Sequence, residues 1–315
     1  MSPTGRIDCV YVAASARDGR FTRTCVASVR HFYPEVPIRL LVGGPLERGL
    51  AAELARHWAV EVADLPTRDY GWGFVKLEPL FMPPGHRFLV LDSDTVMSGP
   101  VLDLLPSGDW ELVVDAEQQD DDAIRQIYCD WIRSADEGHP IERPRFVFNS
   151  GQWFGTSGMV SREAFAGLVD WGAAKPRLVN PSVFKNGDQG VLNHVVNQLH
   201  QGGRLRVERI PLLCWPGAGM QGITAQSIAS RTAPARVVHW AGLKSPWHGR
   251  LPGGDVLMLF EQLYYRRGGG GAYRAYASCR HAAAHISRGL RDRVRLRLEN
   301  SRKALADSSR VSPAR

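Results

Sequence analysis

Two aspartates one residue apart, Asp92 and Asp94, follow directly after a short apolar run at residues 87–91. On an extended chain their side chains would point to opposite faces, but a turn can bring both carboxylates to one hard cation, Mn²⁺ or Mg²⁺. Asp120 and Asp122 have the same spacing but lie in a polar acidic run. Only the first pair follows a buried-type strand, where open α/β sheets bind ligands. We therefore predict a metal site at Asp92 and Asp94, with a structural turn as the alternative.

Two further segments carry polar side chains that could contact a ligand. Asn149 and Ser150 follow an apolar run, and the next residue, Gly151, would let the backbone approach a ligand closely. Asp188 and Gln189 open a helical pattern with an acid–amide pair. Each segment has a structural alternative, because Asn-Ser-Gly is common in turns and an aspartate often caps a helix N-terminus.

A histidine, His239, ends another short apolar run, and Gly242 and Lys244 follow it. An imidazole is a common metal ligand, and a lysine together with backbone N–H groups can bind phosphate oxygens. The alternative is a histidine that only satisfies its hydrogen bonds within the fold, which is the usual case for a lone histidine.

The elements that must position these residues alternate between short apolar runs and helical patterns. This alternation predicts βαβ units and a parallel-sheet α/β fold. Strands are predicted at residues 7–14, 37–42, 60–62, 87–91, 112–114, 145–148 and 237–240, and helices at residues 21–32, 46–58, 74–81, 161–171, 188–199 and 255–267.

The formal charge of +7 over 315 residues is unevenly distributed. Residues 264–315 contain 13 Arg and Lys against three acidic residues, a net charge of +10, so the first 263 residues carry −3. We therefore expect no nucleic-acid binding by the body of the protein. We expect a domain at residues 1–267 and a basic tail at residues 268–315. The tail reads as an amphipathic helix for an anionic membrane surface, or as a solvated, partly disordered segment.

Cysteine usage and hydropathy predict a cytoplasmic protein, peripheral at the inner membrane face if the tail binds there. The five cysteines lie far apart, in an odd number and without paired spacing, which favours buried thiols over a disulfide or zinc framework. No apolar run approaches the roughly 20 residues that span a bilayer. The first residues show no signal-peptide pattern.

Taken together and in this order, the polar segments resemble those of glycosyltransferase family 8, the group that includes glycogenin and bacterial lipopolysaccharide galactosyl- and glucosyltransferases. The resemblance covers about three quarters of the chain, from Ile7 to Trp247. The matching segments are residues 10–15, Lys76, Asp92-Ser93-Asp94, Asn149-Ser150-Gly151, residues 188–193 and residues 239–247.

The resemblance implies a retaining hexosyltransferase with a GT-A-type, Rossmann-like α/β fold: a mixed, mostly parallel sheet flanked by helices, here with a basic helical C-terminal extension. It implies that Asp92, Asp94 and His239 hold Mn²⁺ or Mg²⁺ at the diphosphate of a nucleotide-sugar donor, by family habit a UDP-sugar. Asp188 and Gln189 are implied near the anomeric carbon, as nucleophile or as stabilisers of a front-face attack. The acceptor would be a glycan, a lipid-linked molecule or a small molecule. Donor contacts are implied for Ala14, Ser15, Lys76, Asp92, Ser93, Asp94, Asp115, Asn149, Ser150, Gly242 and Lys244.

Three positions depart from the family pattern. Gly190 stands where an acid is frequent, and Ser245 stands where a lysine is expected, with Lys244 one place earlier. The first strand ends in Ala14, Ser15 and an alanine, without the acid that often contacts the nucleoside. This strand therefore offers no carboxylate to the nucleoside of the donor.

Two other function classes compete with sugar transfer. A metal-dependent sugar-nucleotide nucleotidyltransferase would also use an α/β sheet with acidic ligands, but it should carry a dense glycine loop after the first strand, and residues 13–21 do not. A catalytically inactive GT-A-like binding protein would have no reason to keep Asp92, Asp94 and His239. Glycosyl transfer is the interpretation that these residues favour.

Overall fold

The structure is a computed structural model that describes residues 7–71, 73–116, 119–243, 245 and 247–268, together with residues 275, 279 and 283. Lys244 and almost all of the predicted tail helix at residues 273–306 lie outside the described residues. Among the described residues, no helix is long and apolar enough to cross a membrane.

The central sheet has seven strands in the order β10-β6-β7-β4-β1-β2-β3. Strands β4, β1, β2 and β3 run parallel, β7 runs antiparallel to its neighbours β4 and β6, and β10 pairs parallel with β6. The strands are β1 (Cys9–Ala14), β2 (Ile38–Val42), β3 (Val60–Val62), β4 (Arg87–Asp92), β5 (Thr95–Met97), β6 (Leu112–Asp115), β7 (Gln152–Thr156), β8 (Val169–Asp170), β9 (Arg177–Leu178), β10 (Val207–Ile210), β11 (Leu213–Cys214) and β12 (Val237–His239).

Helices cover both faces of this sheet, so its central strands are buried on both sides. Alternate residues of β1 show this directly, because Val10 and Val12 belong to one apolar cluster and Cys9 and Tyr11 to the other. The α-helices are α1 (Gly19–Phe32), α2 (Leu50–Trp58), α3 (Glu78–Phe81), α4 (Asp121–Ile127), α5 (Trp131–Asp136), α6 (Asp188–Gln201), α7 (Ala225–Ala229) and α8 (Gly254–Gly268).

Helix α8 is tied to α1 and α2 by buried polar and aromatic contacts. Arg20 donates to both carboxylate oxygens of Glu261 at 2.7 and 2.8 Å. Tyr264 stacks on Trp58 with ring centroids 4.9 Å apart. The last residue of α8, Gly268, lies against Trp58 at the C-terminal end of α2.

The predicted α/β architecture with a mostly parallel central sheet is confirmed. Two predicted elements are wrong. Residues 161–171 do not form one helix: a single 3-10 turn, Arg162–Phe165, is ended by Gly167 at φ +74°, and β8 follows. Residues 145–148 are not a strand of the sheet, so Asn149-Ser150-Gly151 precedes β7 rather than following a strand.

Candidate active site

The C-terminal end of β4 carries a compact group of potential metal ligands. Asp92 ends β4, Asp94 lies in the turn that follows, and His239 ends β12. The three residues offer ligand atoms that all lie within 4.8 Å of one another. His239 Nε2 is 3.2 Å from Asp94 Oδ1 and 3.8 Å from Asp92 Oδ2. Two carboxylates and an imidazole form a ligand set that suits Mn²⁺ or Mg²⁺, with the imidazole favouring Mn²⁺.

Pairing of two short strands brings the histidine to the aspartates. Strands β12 and β5 are antiparallel, with His239 opposite Thr95, and the amide of Trp240 donates to the carbonyl of Asp94 at 2.9 Å. Trp215 stacks on the imidazole of His239 at 5.7 Å between centroids and 17° between planes. The backbone of His239 is therefore fixed by pairing with β5, and its ring is fixed by stacking against Trp215.

Gly151 also lies against His239. A Cβ atom at this position would stand 2.3 Å from His239 Cε1 and 2.8 Å from its Nδ1, which is closer than any side chain could approach. The carbonyl of Gly151 accepts a hydrogen bond of 2.7 Å from the amide of Asp92. The glycine is thus required by the space that the imidazole of His239 occupies, whereas the sequence had suggested a close approach of the backbone to a ligand.

Lys76 links the metal-ligand group to α6. Its Nζ lies 3.2 Å from Asp92 Oδ1, 3.0 Å from Asp188 Oδ2 and 3.0 Å from Ser150 Oγ. Asp188 begins α6, and Gly73, with φ +90°, lies so close that a Cβ there would meet Asp188 Oδ1 at 1.7 Å. Asp188 is thus the partner of a buried cation. It does not cap α6, which was the structural alternative, because Gly187 is the residue at the N-cap position.

Burial and charge act in opposite directions on this ion pair. Burial by itself lowers the pKa of Lys76, but the carboxylates of Asp188 and Asp92 outweigh it and raise the pKa above its ordinary value. Burial raises the pKa of Asp188, and Lys76 offsets part of that effect. The ammonium group of Lys76 therefore stays protonated at neutral pH and supplies one positive charge between the two aspartates.

The amide of Gln189 is engaged with the backbone on both sides. Its Oε1 accepts from the amide of Ser150 at 3.2 Å, and its Nε2 donates to the carbonyl of Ile127 at 3.4 Å. The residue that follows, Gly190, is packed under backbone carbonyls: a Cβ there would stand 2.4 Å from Tyr128 O. An acidic side chain at position 190 would therefore clash with the carbonyls of Tyr128 and Lys185.

Other predicted donor contacts lie around the same sheet edge. Ala14 is buried at the end of β1, and the hydroxyl of Ser15 donates to Asp18 at 2.9 Å. Asp115 ends β6, but its Oδ1 accepts hydrogen bonds from the amides of Leu212 and Leu213, both at 2.7 Å, and so holds the start of β11. The remaining predicted residues are Ser93 and Asn149, which are buried, and Gly242, which is exposed in a turn at φ +73°.

The sequence reasoning missed Trp215, and it included Asn193 in the segment 188–193 without assigning it a role. Trp215 is 41% exposed yet stacks on His239, and no short-range pattern marks it, because the contact depends on β11 lying beside β12. Asn193 is fully buried beside the Asn-Ser-Gly segment. Its four-residue spacing from Gln189 was the available signal, since residues at i and i+4 share a helix face.

No known family profile and no curated protein matches the sequence. Solved structures do match it. The chain aligns with an active-site Gln-to-Glu mutant of LgtC at 14% identity and a TM-score of 0.52, over 80% of this chain and 94% of that one. It aligns with the galactosyltransferase LgtC in complex with donor and acceptor sugar analogues at 14% identity and a TM-score of 0.51, over 84% and 97%.

A third similar structure is the apo form of the bifunctional glycosyltransferase WbbM, at 15% identity and a TM-score of 0.50. It matches 86% of this chain, which spans only 53% of the WbbM chain. The three neighbours are glycosyltransferases, and the resemblance predicted from the motifs is confirmed at the level of the fold. The chain has the GT-A-type α/β fold of these glycosyltransferases.

Proposed function

We propose that this protein is a metal-dependent glycosyltransferase that moves a hexose from a nucleotide-diphosphate sugar, a UDP-sugar, to an acceptor hydroxyl with retention of configuration. The observation that carries the proposal is the convergence of Asp92, Asp94 and His239 at the ligand-binding edge of a GT-A sheet. The same edge carries the buried Lys76 and Asp188. Buried charges at this edge support a site for a charged substrate, and they are not needed for a turn that is only structural.

The residues present fit a divalent cation bound with a diphosphate. Asp92, Asp94 and His239 would hold the cation, Mn²⁺ in preference to Mg²⁺, and leave positions for phosphate oxygens. Lewis-acid assistance to the departure of a nucleoside diphosphate is the chemistry that such a cation supplies. Lys76 adds a permanent positive charge beside Asp92, and Lys244, outside the described residues, is proposed as a second cation at the phosphates.

The sugar would lie against the first turn of α6. Asp188 places a carboxylate there, and Gln189 and Asn149 offer amides for hydroxyl groups that lose water on binding. Positive charge that develops at the anomeric carbon during bond cleavage is stabilised by a nearby carboxylate or amide oxygen. Because Lys76 neutralises part of the charge of Asp188, we favour a stabilising role for Asp188 over attack on the sugar.

The acceptor is proposed to be a glycan, a lipid-linked molecule or a small molecule. The domain division at residues 1–267 and the membrane role of residues 268–315 rest on the sequence, in which 13 basic residues stand among the last 52 in an amphipathic helical pattern. Loss of binding to anionic phosphatidylserine vesicles on deletion of the residues after 271 would support the membrane role, and unchanged binding would exclude it.

The direct test needs no acceptor. We expect Mn²⁺-dependent thermal stabilisation by UDP and slow Mn²⁺-dependent hydrolysis of a UDP-hexose, with water as the acceptor. Asp94→Ala should abolish both effects and leave the melting temperature without ligand nearly unchanged. Metal-independent binding of UDP, or stabilisation by nucleoside triphosphates alone, would contradict the proposal.

A further inference from the structure

Residues 146–149 lead into the site outside any helix or strand of the described residues. The backbone groups of this segment, residues 145–150, bond instead to three amide side chains on one face of α6, which we call the amide ladder: Gln189, Asn193 and Asn197. These residues are spaced four apart and are almost fully buried. The ladder therefore replaces a neighbouring strand with a helix face.

Each asparagine of the ladder accepts from one backbone amide and donates to one backbone carbonyl of the segment. Asn193 accepts from the amide of Phe148 and donates to the carbonyl of Phe148, both at 2.9 Å. Asn197 accepts from the amide of Arg145 at 2.8 Å and donates to the carbonyl of Phe146 at 2.9 Å. Each asparagine also donates to the backbone carbonyl four residues earlier in α6: Asn193 to that of Gln189 and Asn197 to that of Asn193, both at 2.9 Å.

The match between the two periods explains why the arrangement works. Four residues of α-helix rise about 6 Å, and two residues of extended chain rise about 6.6 Å. The segment runs antiparallel to α6, so side chains at i, i+4 and i+8 on the helix reach residues j+4, j+2 and j of the segment. Here those residues are Ser150, Phe148 and Phe146, with Gln189 accepting from the amide of Ser150 at 3.2 Å.

We propose that Asn193 is a positioning residue that sets the register of residues 148–150 against α6, and through it the place of Ser150 beside Lys76. The inference rests on the proposed function for its catalytic consequence. Ser150 Oγ is 3.0 Å from Lys76 Nζ, and Lys76 in turn contacts Asp92 and Asp188. If the segment shifted along α6 to the next amide side chain, Ser150 would move away from Lys76. Lys76, which joins Asp92 to Asp188, would then lose one of the contacts that hold it in place.

Asn197 is the matched control, because it makes the same kinds of bond from the same helix face at similar burial. It lies one turn further from the site and contacts neither Gln189 nor Ser150 in the described structure. If the asparagines are only structural, Asn193→Ala and Asn197→Ala should have equal effects. If Asn193 positions Ser150, the two variants should differ at the site while losing similar stability.

The first test is amide hydrogen exchange in the metal-free protein, followed by mass spectrometry. Asn193→Ala should raise exchange at residues 148–151 at least tenfold, and Asn197→Ala should raise it only at residues 145–147. Unchanged protection of Ser150 in Asn193→Ala would overturn the proposal. If the alanine variants do not fold, Asn193→Ser and Asn197→Ser leave smaller cavities and carry the same comparison.

The second test is hydrolysis of a UDP-hexose with Mn²⁺. Because a 1 Å misplacement can cost about 100-fold in rate, we expect kcat to fall 10- to 100-fold in Asn193→Ala and less than about threefold in Asn197→Ala, with little change in the Kd of UDP. Equal losses of kcat would overturn the positioning role. A wild-type protein inactive on every donor would instead refute the proposed function, and the exchange experiment would still decide the role of Asn193.

Discussion

Replacing Gly151 with alanine tests the metal assignment at a position that is not itself a ligand. The added Cβ would stand 2.3 Å from His239 Cε1, whereas carbon atoms pack at about 3.5 Å or more. The imidazole, or the backbone of Gly151, must therefore move by about 1 Å. Trp215 stacks on the ring and restricts its movement, and metal–ligand distances tolerate only about 0.2 Å.

We therefore expect Gly151→Ala to weaken Mn²⁺ binding by about 10- to 100-fold, the range found when the support of a metal ligand is disturbed. This corresponds to about 1.4 to 2.7 kcal/mol. Isothermal titration calorimetry with Mn²⁺ gives the affinity directly. Gly172→Ala is the control, because a Cβ there meets only one side-chain oxygen, at an ordinary 3.6 Å.

A double-mutant cycle shows whether the effect passes through the histidine. If His239 is a ligand, His239→Ala and the double variant with Gly151→Ala should bind Mn²⁺ with the same reduced affinity, because the histidine is already lost. Wild-type affinity in folded Gly151→Ala would refute the reasoning. So would additive losses in the double variant.

Three further predictions concern α6 and the residues that contact it. Gly190→Asp, which restores the acid frequent in the family, should lower the melting temperature and donor hydrolysis rather than raise activity, because its Cβ would stand 2.4 Å from Tyr128 O. Lys76→Met should cost about 3 to 5 kcal/mol in urea unfolding by leaving buried Asp188 without its cation, whereas Lys175→Met, at an exposed pair with Asp69, should cost less than about 1 kcal/mol. Burial lowers the pKa of His194 to about 4, so the stability that depends on its neutral form is complete above pH 6.5 and falls as the pH drops towards 4; His194→Gln should remove about 2 to 3 kcal/mol of the loss between pH 7 and 4.5.

The parts of the fold that the sequence predicts well are those with local signals. Strands β1 and β4 are continuous apolar runs, as expected for strands that are covered on both faces. Asp92 and Asp94 can therefore be recognised from their place at the end of β4. The same logic fails at residues 145–148, which are apolar and extended but bond to side chains of α6. Propensity cannot distinguish a strand partner from a helix face that offers the same donors and acceptors.

The candidate site was predicted as a set of residues but not as a set of contacts. Asp115 is predicted at the donor, and the sequence did not indicate that one of its oxygens also accepts from the backbone amides of Leu212 and Leu213 at the start of β11. The stacking of Trp215 on His239 depends on the pairing of β11 with β12, and the approach of His239 to Asp94 depends on the pairing of β12 with β5. The pairing of β12 with β5 joins residues more than 100 positions apart and that of β11 with β12 joins residues 24 positions apart, and no local pattern encodes either.

The tail leaves the domain at the end of the sheet opposite to the metal ligands. Gly268 lies beside Trp58, just before β3 begins, and so at the N-terminal ends of the parallel strands. The metal ligands stand at the opposite ends, one strand of about 20 Å away. A bilayer bound close to Gly268 would leave the site facing away from it. In that orientation a glycan that extends far from its lipid would be a reachable acceptor.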